Sequence, residues 1–312
     1  MSRIHEAIKR AEAEVAANHG AGNTVATESS VMSRQVETLE ISSPSPETSP
    51  TIAKQKAAQS AIAGPLTFEE VRANCAIHQW KPDANVLVFA NSTASLPGTE
   101  QFRTLRSRLY RICETQPLQT LLISSAIPAE GKTLVASNLA FAMARQQGCR
   151  VLLIDADMRV PRIHRLLGAP EAPGLADYLQ GGASEFEIIQ RGPEGSLCFV
   201  PAGNHATHPS ELISSPRMKK FIERVKTAFD WIIFDSSPTL FAADASVLGG
   251  LCDGVLLVVK AGSTPSEPAR KACAELKGTN LLGVVLNGTS KDVTYAGYEN
   301  YSVPSILNGK SS

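Results

Sequence analysis

The chain has 312 residues and carries 30 basic and 30 acidic side chains, so its formal net charge is zero. That balance excludes a protein held to nucleic acid by its overall charge, and no basic stripe or helix-turn-helix pattern adds a local reason to expect one. An apolar content of 43% with six scattered cysteines, none in Cys-x-x-Cys or metal-ligand spacing, describes an ordinary globular chain whose thiols act as small apolar groups in a reducing compartment.

Residues 2–17 suit a short amphipathic helix, with Ile4, Ile8, Ala11 and Val15 on one face, and residues 1–19 form a first unit. The opening has no apolar core of the signal-peptide kind, and no run approaches the ~20 apolar residues of a membrane span. A cytoplasmic location follows, with any membrane association supplied by a partner. Residues 20–64 are rich in Ser, Thr, Ala and Pro and read as a disordered linker that cannot offset its ordering entropy.

From Pro65 the pattern changes. Val86–Ala90 is expected as a strand, broken by Pro97-Gly98. A helix follows over 99–113, capped by Thr99 or Ser95, in which Phe102, Leu105 and Leu109 recur at helical spacing. Short apolar runs then alternate with helical patterns: strand 119–124, helix 132–147, strands 150–154 and 197–200, helix 215–228, strands 231–235 and 255–259, helix 266–277, strand 282–286. Strands apolar throughout and rich in Val, Ile and Leu are those of a parallel sheet covered on both faces. The expected fold is an α/β, P-loop NTPase-like, mostly parallel sheet flanked by helices, over 65–290, followed by a tail at 291–312.

Loops at the carboxyl ends of parallel strands share one crevice, and four motifs fall there. The first is Ser125-Ala126-Ile127-Pro128-Ala129-Glu130-Gly131-Lys132-Thr133, an imperfect Gly-x-x-x-x-Gly-Lys-Ser/Thr loop with Ala126 at the first glycine. Backbone amides from Ala126 to Leu134 at a helix start suit ATP phosphates, Lys132 reaches the terminal phosphates, and Thr133 ligates Mg²⁺. The second is Asp155-Ala156-Asp157-Met158-Arg159 after the run Val151–Ile154. Two carboxylates at a strand end are costly to bury without a cation, which Mg²⁺ would supply, and the first is alternatively placed to orient or deprotonate an attacking hydroxyl. The third, Trp231-Ile232-Ile233-Phe234-Asp235, delivers a Walker B-like carboxylate for magnesium. In the fourth, Val284-Val285-Leu286-Asn287-Gly288, Asn287 is placed to approach the nucleotide base. Three of the five tyrosines, Tyr295, Tyr298 and Tyr301, cluster in a tail with little apolar content to bury them, where a phenol can enter another subunit's site.

With these motifs together, residues 80 to 302 resemble the bacterial tyrosine kinases, the P-loop class that autophosphorylates and serves capsule or exopolysaccharide production. The resemblance makes Ala126–Thr133 the Walker A element, Ile154–Arg159 the Walker A′ element and Ile232–Asp235 the Walker B element. It implies catalytic roles for Lys132, Asp155 and Asp157, magnesium held by Thr133, Asp157 and Asp235, and phosphoacceptors at Tyr295, Tyr298 and Tyr301. Glu100, Arg103 and Arg106 match the family's Glu-x-x-Arg-x-x-Arg subunit-contact motif. The implied partners are further copies in a ring, a membrane polysaccharide co-polymerase with an activating cytoplasmic segment, and a cognate phosphatase. Two stretches depart from the family pattern: Pro128-Ala129-Glu130-Gly131-Lys132 replaces Pro-Gly-Glu-Gly-Lys, and Asp235-Ser236-Ser237-Pro238 replaces Asp-Thr/Ser-Pro-Pro. A MinD/ParA-like ATPase with water as acceptor and a non-catalytic nucleotide-binding subunit of an export complex are the alternatives.

Overall fold

Apolar runs set the architecture. The computed structural model describes residues 64–89, 98–193 and 195–289. The expected helix over 2–17, nearly all of the linker and the tyrosine tail lie outside those residues.

Among the described residues two helices precede the sheet. Helix α1 (Phe68–Asn74) opens on a capping box in which Thr67 and Glu70 satisfy each other's backbone amides. Helix α2 (Thr99–Cys113) has the expected bounds, and Gly98 in the left-handed region (φ 98°) is its N-cap; Ser95 lies outside the described residues. The buried strand β1 (Thr120–Ser125) runs into the loop before helix α3 (Lys132–Ala144), and β2 (Val151–Asp155) follows. Short helices α4 (Ile163–Leu167), α5 (Leu175–Gln180) and α6 (Glu185–Ile188) lead to β3 (Gln190–Arg191) and β4 (Leu197–Val200). Helices α7 (Pro209–Ser214) and α8 (Pro216–Val225) precede β5 (Trp231–Asp235). Then come α9 (Asp244–Gly249), β6 (Gly254–Lys260), α10 (Ser266–Glu275) and β7 (Leu281–Asn287).

The strands form one seven-stranded sheet in the order β3-β4-β2-β5-β1-β6-β7. Every pairing is parallel except the short edge pair β3–β4. Alternate side chains go to opposite faces. Leu122, Leu152, Ile154, Ile232 and Phe234 pack with Met218 and Phe221 of α8 on one face. Leu121, Ile123, Leu153 and Ile233 pack with Val135, Leu139 and Met143 of α3 on the other. Helices on both faces leave only the strand tips to form a crevice, and β1 lies near the middle of them.

One expected element is corrected. Over its described residues, Val86–Phe89, the expected strand is absent: the amides of Val86 and Leu87 donate to the Asp83 carbonyl at 3.1 and 2.8 Å, closing a turn. The amide of Val88 donates to Asn138 Oδ1 of α3 at 2.8 Å, and Leu87 is buried against the α3 face. A short apolar run has no periodicity that separates a strand from a buried plug, and here side-chain and turn acceptors take the amides a ladder would need.

Candidate functional site

The loop after β1 is shaped from outside as much as from within. Gly131 caps α3 with φ 93°, and an added Cβ there would lie 2.0 Å from Asn287 Nδ2. Only glycine fits that conformation and that approach. Asn287 Nδ2 donates to the Glu130 carbonyl at 2.9 Å, so the residue expected to approach a base is placed against the loop's own backbone. The buried Glu130 carboxylate accepts from the Ile127 amide at 2.7 Å and from the Thr264 hydroxyl, which itself accepts from the Lys260 amide at 3.1 Å. Burial pushes the Glu130 acid above its ordinary value, against the pull of these donors. Glu130 therefore ties the loop to the end of β6, and its side chain is committed to that task.

The two alanines of the loop separate cleanly. Ala126 is buried without a left-handed backbone, whereas Ala129 has φ 66°, the only positive φ outside glycine among the described residues. An L-residue in that region costs roughly 1–2 kcal/mol, while glycine adds roughly 0.4–1 kcal/mol of unfolded-state entropy. Ala129→Gly is therefore expected to raise stability by about 0.5–1 kcal/mol, read as a small upward shift in thermal midpoint without nucleotide. Ala126→Gly is expected to lower it.

Pairing of β2 with β5 sets Asp155 opposite Asp235. Both are buried, at 0% and 1% exposure, and Asp157 is 3% exposed. Asp155 accepts from the Arg162 and Ile163 amides at 3.0 Å each, at the start of α4, and from the Asp157 amide at 3.2 Å. Burial, then the neighbouring Asp235, pushes its acid up to about 8. Burial also pushes Asp235 up, to about 6, although Lys132 and the Thr133 hydroxyl pull it down. Lys132 is the cation facing this group: its Nζ lies 2.7 Å from Asp157 Oδ2 and 3.7 Å from Asp235 Oδ1. Burial works against the ammonium, but Asp235 and Asp157 outweigh it and raise its value.

Thr133 Oγ1 donates to Asp235 Oδ2 at 2.6 Å, while Asp235 Oδ1 is buried with no hydrogen-bond partner. An orphaned carboxylate oxygen, a threonine hydroxyl and an excess of buried negative charge over Lys132 fit a divalent cation. Among the described residues no group of three or more His, Cys, Asp or Glu side chains forms a metal cage on its own. A magnesium ion keeps waters and substrate phosphates and takes only one or two carboxylates. The loop amides, the α3 N-terminus and Lys132 fit the phosphates. Half-buried Leu134, the last residue of the expected set, packs against the α3-side core.

The remaining expected residues lie elsewhere. Exposed Glu100 and Arg103 form an ion pair on α2, and Arg106 Nη1 donates to the Ala142 carbonyl at 2.6 Å, joining α2 to the end of α3. Tyr295, Tyr298 and Tyr301 lie outside the described residues. Thr264 and Asp244, buried beside the loops, were not singled out by any spacing; both act through contacts more than eighty residues away in sequence.

The AAA domain family profile matches residues 128–265. Tyrosine-protein kinase YwqD of Bacillus subtilis (strain 168) is 38% identical over 204 residues, 64% of this chain and 86% of that protein. The succinoglycan biosynthesis transport protein ExoP of Rhizobium meliloti (strain 1021) is 35% identical over 195 residues, but the match takes in 61% of this chain and only 25% of that protein. The solved kinase domain of Escherichia coli tyrosine kinase ETK superposes with a TM-score of 0.63 at 28% identity, over 77% of this chain and all of that domain. Among the described residues no helix is long and apolar enough to cross a membrane.

Proposed function

The chain belongs to the family of bacterial tyrosine-protein kinases, and we propose that it moves the γ-phosphoryl group of Mg-ATP onto the tyrosines of its own C-terminal segment. The observation that carries this reading is the meeting of Lys132, Thr133, Asp157 and Asp235 at adjacent strand tips, with one Asp235 oxygen left without a hydrogen bond. Thr133, Asp157 and Asp235 would hold magnesium, and Lys132 with the amides of residues 126–134 would hold the phosphates. Bound magnesium supplies charge neutralisation at the phosphates. Lys132, itself buried, adds a fixed positive charge where negative charge develops. Asp155, whose burial makes it a stronger base than an ordinary carboxylate, orients the incoming phenol and draws on its proton. Glu130, Thr264 and Asn287 keep the loop in its phosphate-binding shape.

The acceptors are Tyr295, Tyr298 and Tyr301, presented by a second copy in a ring to which Glu100, Arg103 and Arg106 contribute. The membrane partner is a polysaccharide co-polymerase whose cytoplasmic segment activates the kinase and brings it to the inner face of the cell membrane. The Rhizobium relative supports this link: it is named a succinoglycan biosynthesis transport protein, and a quarter of its length matches this chain. Phosphate on the tail adds charge and loosens the ring, and a cognate phosphatase resets it.

The test is phosphosite mapping by mass spectrometry after incubation with Mg-ATP and the partner segment. Phosphotyrosine is expected on the tail and absent when Tyr295, Tyr298 and Tyr301 are all changed to Phe. Phosphate release without phosphotyrosine, unchanged in that variant, would instead make water the acceptor. Nucleotide binding with no turnover would leave a regulatory subunit.

A further inference from the structure

We propose that Asp244 fixes Arg159 as an anchor for the tyrosine segment of a second copy, with Val160 and Phe241 as the apolar rim beside it. This rests on the kinase reading and specifies how its acceptor is recognised. Asp244 is 1% exposed and sits at the start of α9, behind the Walker B loop. Its carboxylate accepts from Arg159 Nε at 2.9 Å and Nη2 at 3.4 Å, from the Ser210 hydroxyl, and from the Ser237 hydroxyl at 3.3 Å. Ser210 Oγ in turn lies 2.9 Å from Arg159 Nη2. The Walker A′ loop, the Walker B loop and α7 are thereby joined at one buried carboxylate.

This arrangement holds Arg159 against the starts of α7 and α9. Asp157 divides the two cations: Oδ2 takes Lys132 at 2.7 Å, and Oδ1 accepts from the Val160 amide at 3.2 Å, on the Arg159 side. The guanidinium is held along its Nε–Nη2 edge, its side chain remains 41% exposed, and Nη1 makes no hydrogen bond among the described residues. An arginine fixed on one edge and open on the other is prepared for a carboxylate or phosphate from outside. It faces α7, whose first turn borders an open groove of about 480 Å³ lined in part by His205, Thr207 and His208.

Large apolar side chains are left in solvent next to both members of the Arg159–Asp244 pair. Only Ile77, Val160 and Phe241 are so exposed among the described residues, and Val160 (52%) and Phe241 (67%) belong to the loops that carry Arg159 and lead into Asp244. Phe241 lies three residues before Asp244, and Val160 follows Arg159 directly. The occupant that fits is a segment with aromatic rings and flanking carboxylates. Residues 291–301 supply both, as Tyr295, Tyr298 and Tyr301 with Asp292 and Glu299. The rings meet Val160 and Phe241, and the anionic groups, including the phosphate formed, meet Arg159.

The test uses the full-length chain carrying Tyr295, Tyr298 and Tyr301→Phe as enzyme. A labelled peptide of residues 288–304 and a Lys132→Ala copy serve as acceptors. Asp244→Asn and Phe241→Ser are each expected to weaken peptide binding, read by fluorescence anisotropy, about tenfold, or about 1.4 kcal/mol. The KM for the acceptor copy rises about as much, while affinity for a fluorescent ATP analogue is unchanged. Arg159→Ala with Asp244→Asn is expected to be no worse than Arg159→Ala alone. Equal losses of ATP affinity, unchanged peptide binding in Asp244→Asn, or additive losses in the double variant would each overturn the proposal. Phe241→Ser, at an exposed position, keeps the test decisive if Asp244→Asn fails to fold. A wild-type enzyme giving no phosphotyrosine would sink the kinase reading, while the peptide arm still decides this one.

Discussion

Lys132→Ala is expected to cut phosphotyrosine formation by roughly 10²–10³-fold and, in the same protein without nucleotide, to lower stability by up to about 3 kcal/mol. The first loss follows from removing a fixed cation from a site where the phosphoryl charge has little water around it. The second follows from what Lys132 does in the empty crevice. Asp155, Asp157 and Asp235 are all buried, and Lys132 is the ammonium within reach of Asp157 and Asp235. Without it Asp157 and Asp235 lose their counter-charge and draw in water, which limits the cost but does not remove it. The two effects have different remedies. Millimolar Mg²⁺, a cation for the same carboxylates, is expected to recover part of the lost stability in a denaturant titration and none of the lost turnover. A Lys132→Ala protein as stable as wild type, with stability indifferent to Mg²⁺, would show that the carboxylates are neutral in the resting protein.

The sequence made the candidate site legible because its parts are local. A strand of apolar residues ending in a carboxylate states both its burial and its chemistry, as in Trp231–Asp235, whose bounds the structure reproduces. Lys132 and Thr133 are read from their place at a helix start, and the pairing of Asp155 with Asp235 follows once two parallel strands neighbour each other. The parts that escaped are those whose meaning depends on distant partners. Nothing around Thr264 announces that its hydroxyl donates to Glu130, and Asp244 looks like any aspartate in a helix's first turn until Arg159 is seen against it. Asn287 was expected to approach the nucleotide base, and only Gly131's lack of a side chain explains how closely it approaches the loop. The short helices α4 to α7 have too few turns to set up a periodic pattern, so the sequence offered no signal for them.

Asp155→Asn is expected to abolish phosphorylation and yet make the nucleotide-free protein more stable at neutral and alkaline pH. Asp155 starts from an ordinary value of 3.8 and is pushed to about 8 in the folded chain, by burial first and then by Asp235. Between those two values the folded state binds the extra proton, so stability must fall as pH rises through the window. Asp235, pushed from 3.8 to about 6, adds the same sign over the lower part of it. Paired surface acids work in the opposite sense and in a different range. The side-chain bonds from Arg150 hold Asp230 below 3.8, so its contribution is complete above that value and is lost only as pH falls below it. Unfolding free energy of the nucleotide-free wild type, measured by denaturant between pH 5 and pH 8, is therefore expected to decline as pH rises, and Asp155→Asn to show a shallower decline. Asparagine keeps an oxygen for the Arg162 and Ile163 amides while removing the charge that burial and Asp235 oppose. A variant less stable than wild type at pH 8, or one with an unchanged slope, would mean that Asp155 is ionised and compensated in the resting fold. The strain would then lie elsewhere in the crevice, and the case for Asp155 as the group that draws on the phenol proton would go with it, because a carboxylate at its ordinary acidity has little pull on a phenol.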